Sequence, residues 1–157
     1  MKKYFIVAGE PSGDLHGSKL IKAIKHLNPN SSFMGHGGDS MRNEGMHIIE
    51  HVDSLAIMGF AEVLRHLPRM NKIMRNTVGA IERSKPDRVI LIDYPGFNLR
   101  LAERLFPLKI PITYFILPQA WAWKQGRVEV LKRFIDQSIS IFPFENDWYK
   151  KHGLRVD

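Results

Sequence analysis

Short apolar runs alternate with helical patterns along the whole 157-residue chain, and this alternation limits the folds that it can adopt. The runs that predict strands cover residues 4–8, 32–34, 47–50, 88–92, 112–116, 138–142 and 154–157. The patterns that predict helices cover residues 15–27, 39–44, 53–66, 68–84, 98–106, 125–135 and 146–151. Because strands separated by helices form βαβ units, we expect one α/β, Rossmann-like domain over residues 1–157, with a mainly parallel sheet and helices on both faces. The last predicted strand runs to the end of the chain, which suggests a protein cut short after this domain.

The composition is that of a globular protein with an excess of positive charge. Hydrophobic residues make up 44% and charged residues 25%, and the apolar runs are far shorter than the roughly 20 residues that cross a bilayer. The apolar start, residues 4–9, is too short for a signal peptide, so a cytosolic protein is expected. Lys and Arg number 23 against 16 Asp and Glu. The resulting net charge of +7 favours an anionic partner: a nucleic acid, a phosphorylated substrate or an anionic membrane.

Cysteine is absent from the sequence. Disulfides, thiolate metal sites and cysteine nucleophiles are therefore excluded. The seven histidines include no helical H-x-x-x-H pair with a nearby carboxylate, which is a common arrangement of metal ligands. The sequence therefore predicts no metal site and no cofactor.

Carboxylates, amides and indoles follow the predicted strands. In open α/β sheets, ligands bind at the carboxyl ends of the strands, so these side chains would converge on one cleft. They lie in the segments Gly9 to Asp14 after the first strand, His36 to Gly38 after the second, Asp93 to Asn98 after the fourth, Pro118 to Trp123 after the fifth and Pro143 to Glu145 after the sixth.

Two of these loops allow both a chemical and a structural interpretation. The glycine-rich first loop would let a ligand approach the backbone at a helix start. It matches neither the dinucleotide fingerprint nor the P-loop, and a tight turn with Ser12 or Asp14 as helix N-cap is the alternative. Asp93 ends the most apolar strand, where a partly desolvated carboxylate can act as a general base, or it can form an Asx-type turn before Pro95. Asn98 fits either a ligand contact or a helix N-cap.

Two tryptophans lie in the predicted loop after the fifth strand. The rings of Trp121 and Trp123 could stack on a sugar or an acyl chain and still donate a hydrogen bond, or they could close one end of the core. Arg127 follows Trp123 by one helical turn. It could bind a phosphate or lie on a solvated helix face.

An apolar stretch beside cations is unusual in a helix of a cytosolic protein. Apolar residues cover nearly all sides of the predicted helix over residues 53–66, and Glu62 is the only acidic residue between Asp53 and Glu82. An apolar surface beside cations can hold an anionic membrane, whereas a buried helix next to a solvated basic one is the alternative. The candidate membrane-facing residues are Phe60, Val63, Leu64, Arg65, Leu67, Arg69 and Lys72.

Six motifs stand in order along the whole chain. They are Ala8 to Asp14 followed by Gly17, Gly37-Gly38 with Met41 and Gly45, Met58 to Leu64, Asp93 to Asn98, Pro118 to Trp123 with Arg127, and Phe142 to Glu145 with Tyr149. In this order they resemble the motifs of the lipid A disaccharide synthases, and six in sequence are highly specific. One departure is Gly96, which stands where the family's D-x-P-D-F-N motif has its second aspartate.

The resemblance implies the amino-terminal half of a two-domain, inverting glycosyltransferase of the GT-B type. Such an enzyme transfers 2,3-diacylglucosamine from its UDP derivative to the 6-hydroxyl of 2,3-diacylglucosamine 1-phosphate (lipid X) and releases UDP. The implied partners are the acylated acceptor, the UDP-linked donor, a missing carboxy-terminal half that binds the donor nucleotide, and the cytoplasmic face of the inner membrane of a Gram-negative bacterium. No metal is implied.

The resemblance also implies roles for individual residues. Asp93 would take the proton from the acceptor hydroxyl, with Glu10 as the alternative base or as a residue that orients the acceptor. The acceptor would be bound by Gly9, Ser12, Gly13, Asp14, Asn98, Gln119, Trp121, Trp123 and Arg127. The chain alone would be inactive, because nothing in it would position the donor and positioning supplies much of the rate.

Two other functions remain as alternatives. A non-catalytic remnant would bind the acceptor or an anionic membrane without turnover. A nucleic-acid-binding protein would need a basic stripe interleaved with aromatic residues or a recognition motif, and the sequence has neither. We therefore expect no nucleic-acid partner.

Overall fold

The computed structural model describes residues 1–56, 63–120 and 126–157, without the side chains of residues 56 and 63–66. The described residues form a sheet of strands β1 Lys3–Ala8, β2 Ser32–Gly37, β3 His47–His51, β4 Arg88–Ile92, β5 Ile112–Phe115 and β6 Gln137–Ile139. The strand order is β3-β2-β1-β4-β5-β6, and every neighbouring pair is parallel. This is the order of a doubly wound Rossmann sheet, so the predicted fold class is confirmed.

Helices cover both faces of this sheet. They are α1 Pro11–Leu27, α2 Asp39–Asn43, α3 Val52–Ala56, α4 Val63–Ser84, α5 Pro95–Leu105, α6 Arg127–Phe134 and α7 Pro143–Lys151. In β1, Ile6 and Ala8 pack into one core cluster with residues of α1 and α2. Phe5 and Val7 point the other way, into a cluster with residues of α4, α5, α6 and α7. A strand covered on both faces must be apolar on both, which explains the continuous apolar run of β4.

The second strand is longer than predicted. The sequence indicates an end at Met34, where a glycine-rich segment begins, but β2 continues to Gly37. Gly35 has a φ of 141°, and a Cβ there would lie 2.0 Å from the carbonyl oxygen of Ile6. The register with β3 also shifts after Gly35, as at a β-bulge. The glycine therefore permits close approach within a strand, and His36 lies buried in the sheet and not in a loop.

The sequence predicts that Pro68 opens a separate helix, but the structure places Pro68 inside α4. Within the described part of α4, the missing N–H of Pro68 removes the hydrogen bond to the carbonyl of Leu64. The helix predicted over residues 53–66 is described only as α3 and the start of α4, and its middle lies outside the described residues.

The carboxyl end of the chain also differs from the prediction. β6 ends at Ile139, and Phe142 is instead the N-cap of α7, whose first residue Pro143 suits a helix start. Residues 154–157 form no strand. Only Asp157 makes backbone hydrogen bonds to this edge, accepting from Ser140 at 3.3 Å and donating to Ser138 at 2.9 Å. A single bonded residue does not extend into a ladder, so the seventh predicted strand is wrong.

Part of α4 is exposed and part of it packs into the core. Leu67 is 40% exposed, and Arg69 and Lys72 are exposed, whereas Ile73 and Met74 are buried against the sheet. The other membrane-facing candidates lie outside the described residues or side chains: Phe60, Val63, Leu64 and Arg65. Across the described ranges, no helix is long and apolar enough to cross a membrane.

Candidate active site at the carboxyl edge of the sheet

A cavity of about 460 Å³ opens where β1, β4, β5 and β6 end. Five residues that the sequence predicted for the site line it together, although they come from four separate segments of the chain: Ser12, Gly13, Asp93, Gln119 and Arg127. The remaining lining is His16, Pro95, Ile116, Leu117, Pro118, Ile141, Phe142 and Glu145. Segments that follow β1, β4, β5 and β6 meet at this cleft, because the carboxyl ends of parallel strands face the same edge of the sheet. The predicted segment His36 to Gly38 does not line the cavity.

Asp93 directly follows β4 in a constrained turn. The φ angles of Asp93 and Tyr94 are 47° and 49°, a left-handed conformation that is uncommon outside glycine. The N–H of Asp93 donates to the carbonyl of Phe115 at 3.0 Å. Its carbonyl accepts from the Tyr114 hydroxyl at 2.6 Å and from the Asn98 amide at 2.8 Å. Three hydrogen bonds therefore hold the backbone that carries the Asp93 carboxylate.

The carboxyl group of Asp93 has a raised pKa. Burial is the main cause, and the negative charge of Glu10 raises the pKa further. The backbone N–H of Tyr94 and the positive charges of His16 and Arg127 act in the opposite direction. A carboxylate of raised pKa is a stronger base than an ordinary aspartate, which suits it to accept a proton from a hydroxyl.

Glu10 and Gly9 lie beside the cavity and not in its lining. Glu10 is exposed at the N-cap of α1, close enough for its charge to act on Asp93. Gly9 is buried beneath the Tyr94 ring, where an added Cβ would lie 2.2 Å from a ring atom. The glycine therefore allows the Tyr94 ring to pack at this turn, where it stacks on Phe97 at 5.9 Å.

Asp14 is buried away from the cavity and bonds to α2. Its carboxylate accepts hydrogen bonds from the backbone N–H groups of Gly38 at 2.7 Å, Ser40 at 3.0 Å and Met41 at 3.0 Å. It thus satisfies the free N–H groups at the start of α2. The predicted N-cap role of Ser12 or Asp14 in their own helix is wrong, because α1 begins at Pro11 with Glu10 as its N-cap.

Asn98 is fully buried behind Asp93. Its amide donates to the carbonyls of Val7 and Ile92, both at 3.3 Å, as well as to that of Asp93. The alternative role as a helix N-cap is wrong, because α5 begins at Pro95. Asn98 therefore joins the ends of β1 and β4 beneath the cavity.

Two polar residues of the cavity were not among the predicted site residues. His16 lies one helical turn after Ser12 on the same side of α1, a spacing that could have indicated it. Glu145 is 1% exposed and accepts a hydrogen bond from the Ser140 hydroxyl at 2.6 Å. Its position after the sixth strand was visible in the sequence, but its burial was not.

The remaining predictions for the site concern tryptophans and metals. Trp121 and Trp123 lie outside the described residues. In the part of the chain that the structure describes, no three His, Asp or Glu side chains lie close enough together to hold a metal ion.

Solved structures with the same fold include enzymes that act on nucleotide sugars. The chain matches a UDP-GlcNAc 2-epimerase from Neisseria meningitidis bound to UDP-GlcNAc with a TM-score of 0.66 and 10% identity, over 99% of this chain and 45% of that one. It matches the glycosyltransferase SsfS6 from Streptomyces sp. SF2575 with a TM-score of 0.56 and 15% identity, over 91% of this chain and 51% of that one. At these identities the likeness shows the fold, an α/β Rossmann-like domain of the GT-B type.

Curated relatives match the sequence itself far more closely. The lipid-A-disaccharide synthase of Myxococcus xanthus is 39% identical over 152 residues, which are 97% of this chain and 40% of that protein. That of Acidobacterium capsulatum is 43% identical over 154 residues, 98% of this chain and 38% of that protein. The chain thus spans about 40% of the length of these relatives. A family model described as Lipid-A-disaccharide synthetase matches residues 4–157. The chain therefore belongs to the lipid-A-disaccharide synthetase family.

Proposed function

We propose that this chain is the acceptor-binding half of a lipid A disaccharide synthase. In the proposed reaction, the 6-hydroxyl oxygen of lipid X attacks the anomeric carbon of UDP-2,3-diacylglucosamine. The bond from that carbon to the diphosphate breaks, UDP leaves with the bonding electrons, and a base takes the hydroxyl proton. Attack opposite the leaving group inverts the anomeric configuration. The observation that carries the proposal is the Asp93 carboxylate, which has a raised pKa and lines the cavity at the carboxyl edge of the sheet.

Asp93 is the better candidate for the base of the two carboxylates that the sequence singles out. It lines the cavity, whereas Glu10 lies outside the lining and is exposed. The charge of Glu10 raises the pKa of Asp93, which strengthens Asp93 as a base. We therefore propose that Glu10 raises the pKa of Asp93 and does not itself act as the base.

The cavity walls divide into a polar and an apolar part, as an acylated sugar phosphate requires. Arg127 and the amino-terminal turn of α1, with Ser12 and Gly13, supply a cation and free backbone N–H groups for a phosphate. Gln119 is a donor and acceptor for sugar hydroxyls. The apolar side chains Ile116, Leu117, Ile141 and Phe142 complete the lining. Trp121 and Trp123 would extend the sugar-binding or acyl-binding surface.

The donor would be bound by a carboxy-terminal half, since the relatives are more than twice as long as this chain. We further propose that the protein works in the cytoplasm, peripherally at the inner face of the inner membrane. The exposed Leu67, Arg69 and Lys72 on α4 support this location, because apolar and cationic side chains together favour an anionic bilayer surface.

The test is disaccharide formation from UDP-2,3-diacylglucosamine and lipid X. The chain is assayed alone and together with a carboxy-terminal half from a lipid-A-disaccharide synthase. Product in the mixture and none with either part alone would support the proposal. Binding of lipid X without product in any mixture would support the alternative, a non-catalytic acceptor- or membrane-binding remnant.

A further inference from the structure

We propose that Tyr114 is a positioning residue, whose hydroxyl holds the carbonyl of Asp93 so that the Asp93 carboxylate faces the acceptor. The inference rests on the proposed role of Asp93 as the base. Tyr114 lies on β5, in register with Leu91 of β4, and its ring is fully buried. Its hydroxyl oxygen lies 2.6 Å from the Asp93 carbonyl oxygen. The hydroxyl thus contacts Asp93, the residue just beyond the end of β4 that we propose as the base.

The turn at Asp93 needs such support. Both Asp93 and Tyr94 adopt positive φ angles, 47° and 49°. Two successive non-glycine residues in this sparsely populated region persist only where the surroundings over-determine the conformation. The Asn98 amide also donates to the same carbonyl, but that group is shared among three acceptors, two of them at 3.3 Å. The Tyr114 hydroxyl is therefore the donor directed to Asp93 alone.

The Tyr114 hydroxyl keeps its proton throughout the range in which an enzyme works. Burial, and secondarily the charge of Asp93, raise its pKa well above the usual range. A hydroxyl that stays protonated donates to the carbonyl at every working pH.

The substitution Tyr114→Phe removes this donor and keeps the ring that fills the core. The Asn98 amide and the bond from the Asp93 N–H to Phe115 remain, so the fold is kept while the turn is loosened. A displacement of about 1 Å at a catalytic group can lower the rate roughly 100-fold. A loosened carboxylate also becomes better solvated, which lowers its pKa toward that of an ordinary aspartate.

Thr113→Val is the matched control. Thr113 is the preceding residue of β5, is 4% exposed and also uses its hydroxyl in hydrogen bonds, accepting from Arg88 at 2.8 Å and donating to Gln137 at 3.1 Å. The substitution Thr113→Val removes a buried hydroxyl from the same strand and leaves the hydrogen bonds of Asp93 unchanged. A general loss of stability in β5 would therefore appear in both variants, and a loss of positioning only in Tyr114→Phe.

The experiment compares the parent chain with Tyr114→Phe, Thr113→Val and Asp93→Asn, each combined with the carboxy-terminal half of a lipid-A-disaccharide synthase. The readouts are kcat, KM for lipid X and the pH profile of kcat. We expect kcat of Tyr114→Phe to fall roughly 10- to 100-fold, KM to change less than about twofold, and the acid limb to move to lower pH. Thr113→Val keeps the parental profile. Equal behaviour of Tyr114→Phe and Thr113→Val would overturn the inference. Full activity of Asp93→Asn would instead refute the proposed function.

A second readout does not depend on turnover. The ¹³C chemical shifts of the Asp93 backbone and carboxyl are followed by NMR in this chain across a pH titration. We expect Tyr114→Phe to move the backbone shifts away from left-handed values and to lower the titration midpoint of the carboxyl. Unchanged shifts and midpoint would show that the Tyr114 hydroxyl does not hold the turn.

Discussion

The Asp14 carboxylate of α1 accepts a hydrogen bond from the backbone N–H of Gly38 at 2.7 Å, across the carboxyl edge of β1 and β2. The same carboxylate binds the N–H groups of Ser40 and Met41 in the first turn of α2. A negative charge at a helix start interacts favourably with the helix dipole and with its unpaired donors. Asp14 therefore ties the β2–α2 connection to the first turns of α1, the helix that also carries Ser12.

This relationship predicts that Asp14→Ala lowers stability. Removing the carboxylate leaves three N–H groups without their acceptor, and we expect the free energy of unfolding to fall by about 2–4 kcal/mol. Asp14→Asn, which keeps one acceptor oxygen, loses about half of that. The measurement is urea denaturation of this chain, with the exposed Asp39→Asn as control. A parental stability together with a raised KM for lipid X would instead assign Asp14 to the acceptor.

The pH dependence of kcat provides a second prediction. The ionised Asp93 is the active form, so kcat falls as pH drops through its pKa. Removing the negative charge in Glu10→Gln lowers that pKa and moves the acid limb of the profile to lower pH. Removing the positive charge in Arg127→Gln raises the pKa and moves the limb to higher pH. Shifts of the same sign in the two variants would contradict this electrostatic account.

The burial of His36 leads us to predict a loss of stability in acid. Burial lowers the pKa of His36 from 6.5 to about 4, because the charged imidazolium is poorly solvated inside β2. Above pH 6.5 the ring is neutral in both the folded and the unfolded chain. As pH falls from 6.5 to 4, the unfolded chain gains a proton that the folded chain does not, so stability falls by about 3 kcal/mol.

The test of the His36 prediction is the free energy of unfolding measured at intervals between pH 7 and 4. The Nε2 of His36 lies 2.9 Å from the Thr77 hydroxyl, and that hydroxyl donates to Ile73, so the neutral ring donates from Nε2. Gln at this position retains a donor and does not titrate. His36→Gln should therefore flatten the slope over this range, whereas the exposed His26→Gln should not. A parental slope in His36→Gln would assign the acid sensitivity to other groups.

We predict that replacing Gly96 stabilises the protein. It is exposed at the second residue of α5, and an added Cβ meets no atom within 4 Å. Gly96→Ala should raise the free energy of unfolding by about 0.5–1 kcal/mol, because alanine loses less backbone entropy. Gly96→Asp should add about 0.3–1 kcal/mol from its charge at the helix start relative to an uncharged residue, and this part should disappear in 1 M salt. Loss of stability in both variants would show a steric constraint at this position.

The sheet could be predicted from the alternation of apolar runs and helical patterns, because βαβ units with both faces covered leave few other arrangements. The predicted element boundaries were wrong where a glycine or a proline can either end an element or lie inside it. Gly35 suggests a strand end but lies inside β2, where the backbone of Ile6 approaches it closely, and Pro68 suggests a helix start but lies inside α4. In each case the contact that decides the outcome comes from a distant segment or the preceding turn.

The site could be predicted in part for the same reason. Asp93, Ser12 and Arg127 meet in one cavity because the ends of parallel strands share an edge. The hydrogen bonds of Asp14 to α2 and of Tyr114 to Asp93 could not be predicted, because they join residues 24 and 21 positions apart through side-chain orientation alone. Local sequence patterns do not predict such contacts.

The most direct test of the account is the turnover of Asp93→Asn in an active combination of this chain with a carboxy-terminal half. The assay measures disaccharide formed from UDP-2,3-diacylglucosamine at saturating lipid X, beside Asp147→Asn, which alters an exposed carboxylate on α7. We predict a fall in kcat of at least about 100-fold for Asp93→Asn, as expected for loss of a general base, and parental kcat for Asp147→Asn. A kcat of Asp93→Asn within a few-fold of the parent would contradict the account and remove Asp93 from the chemistry.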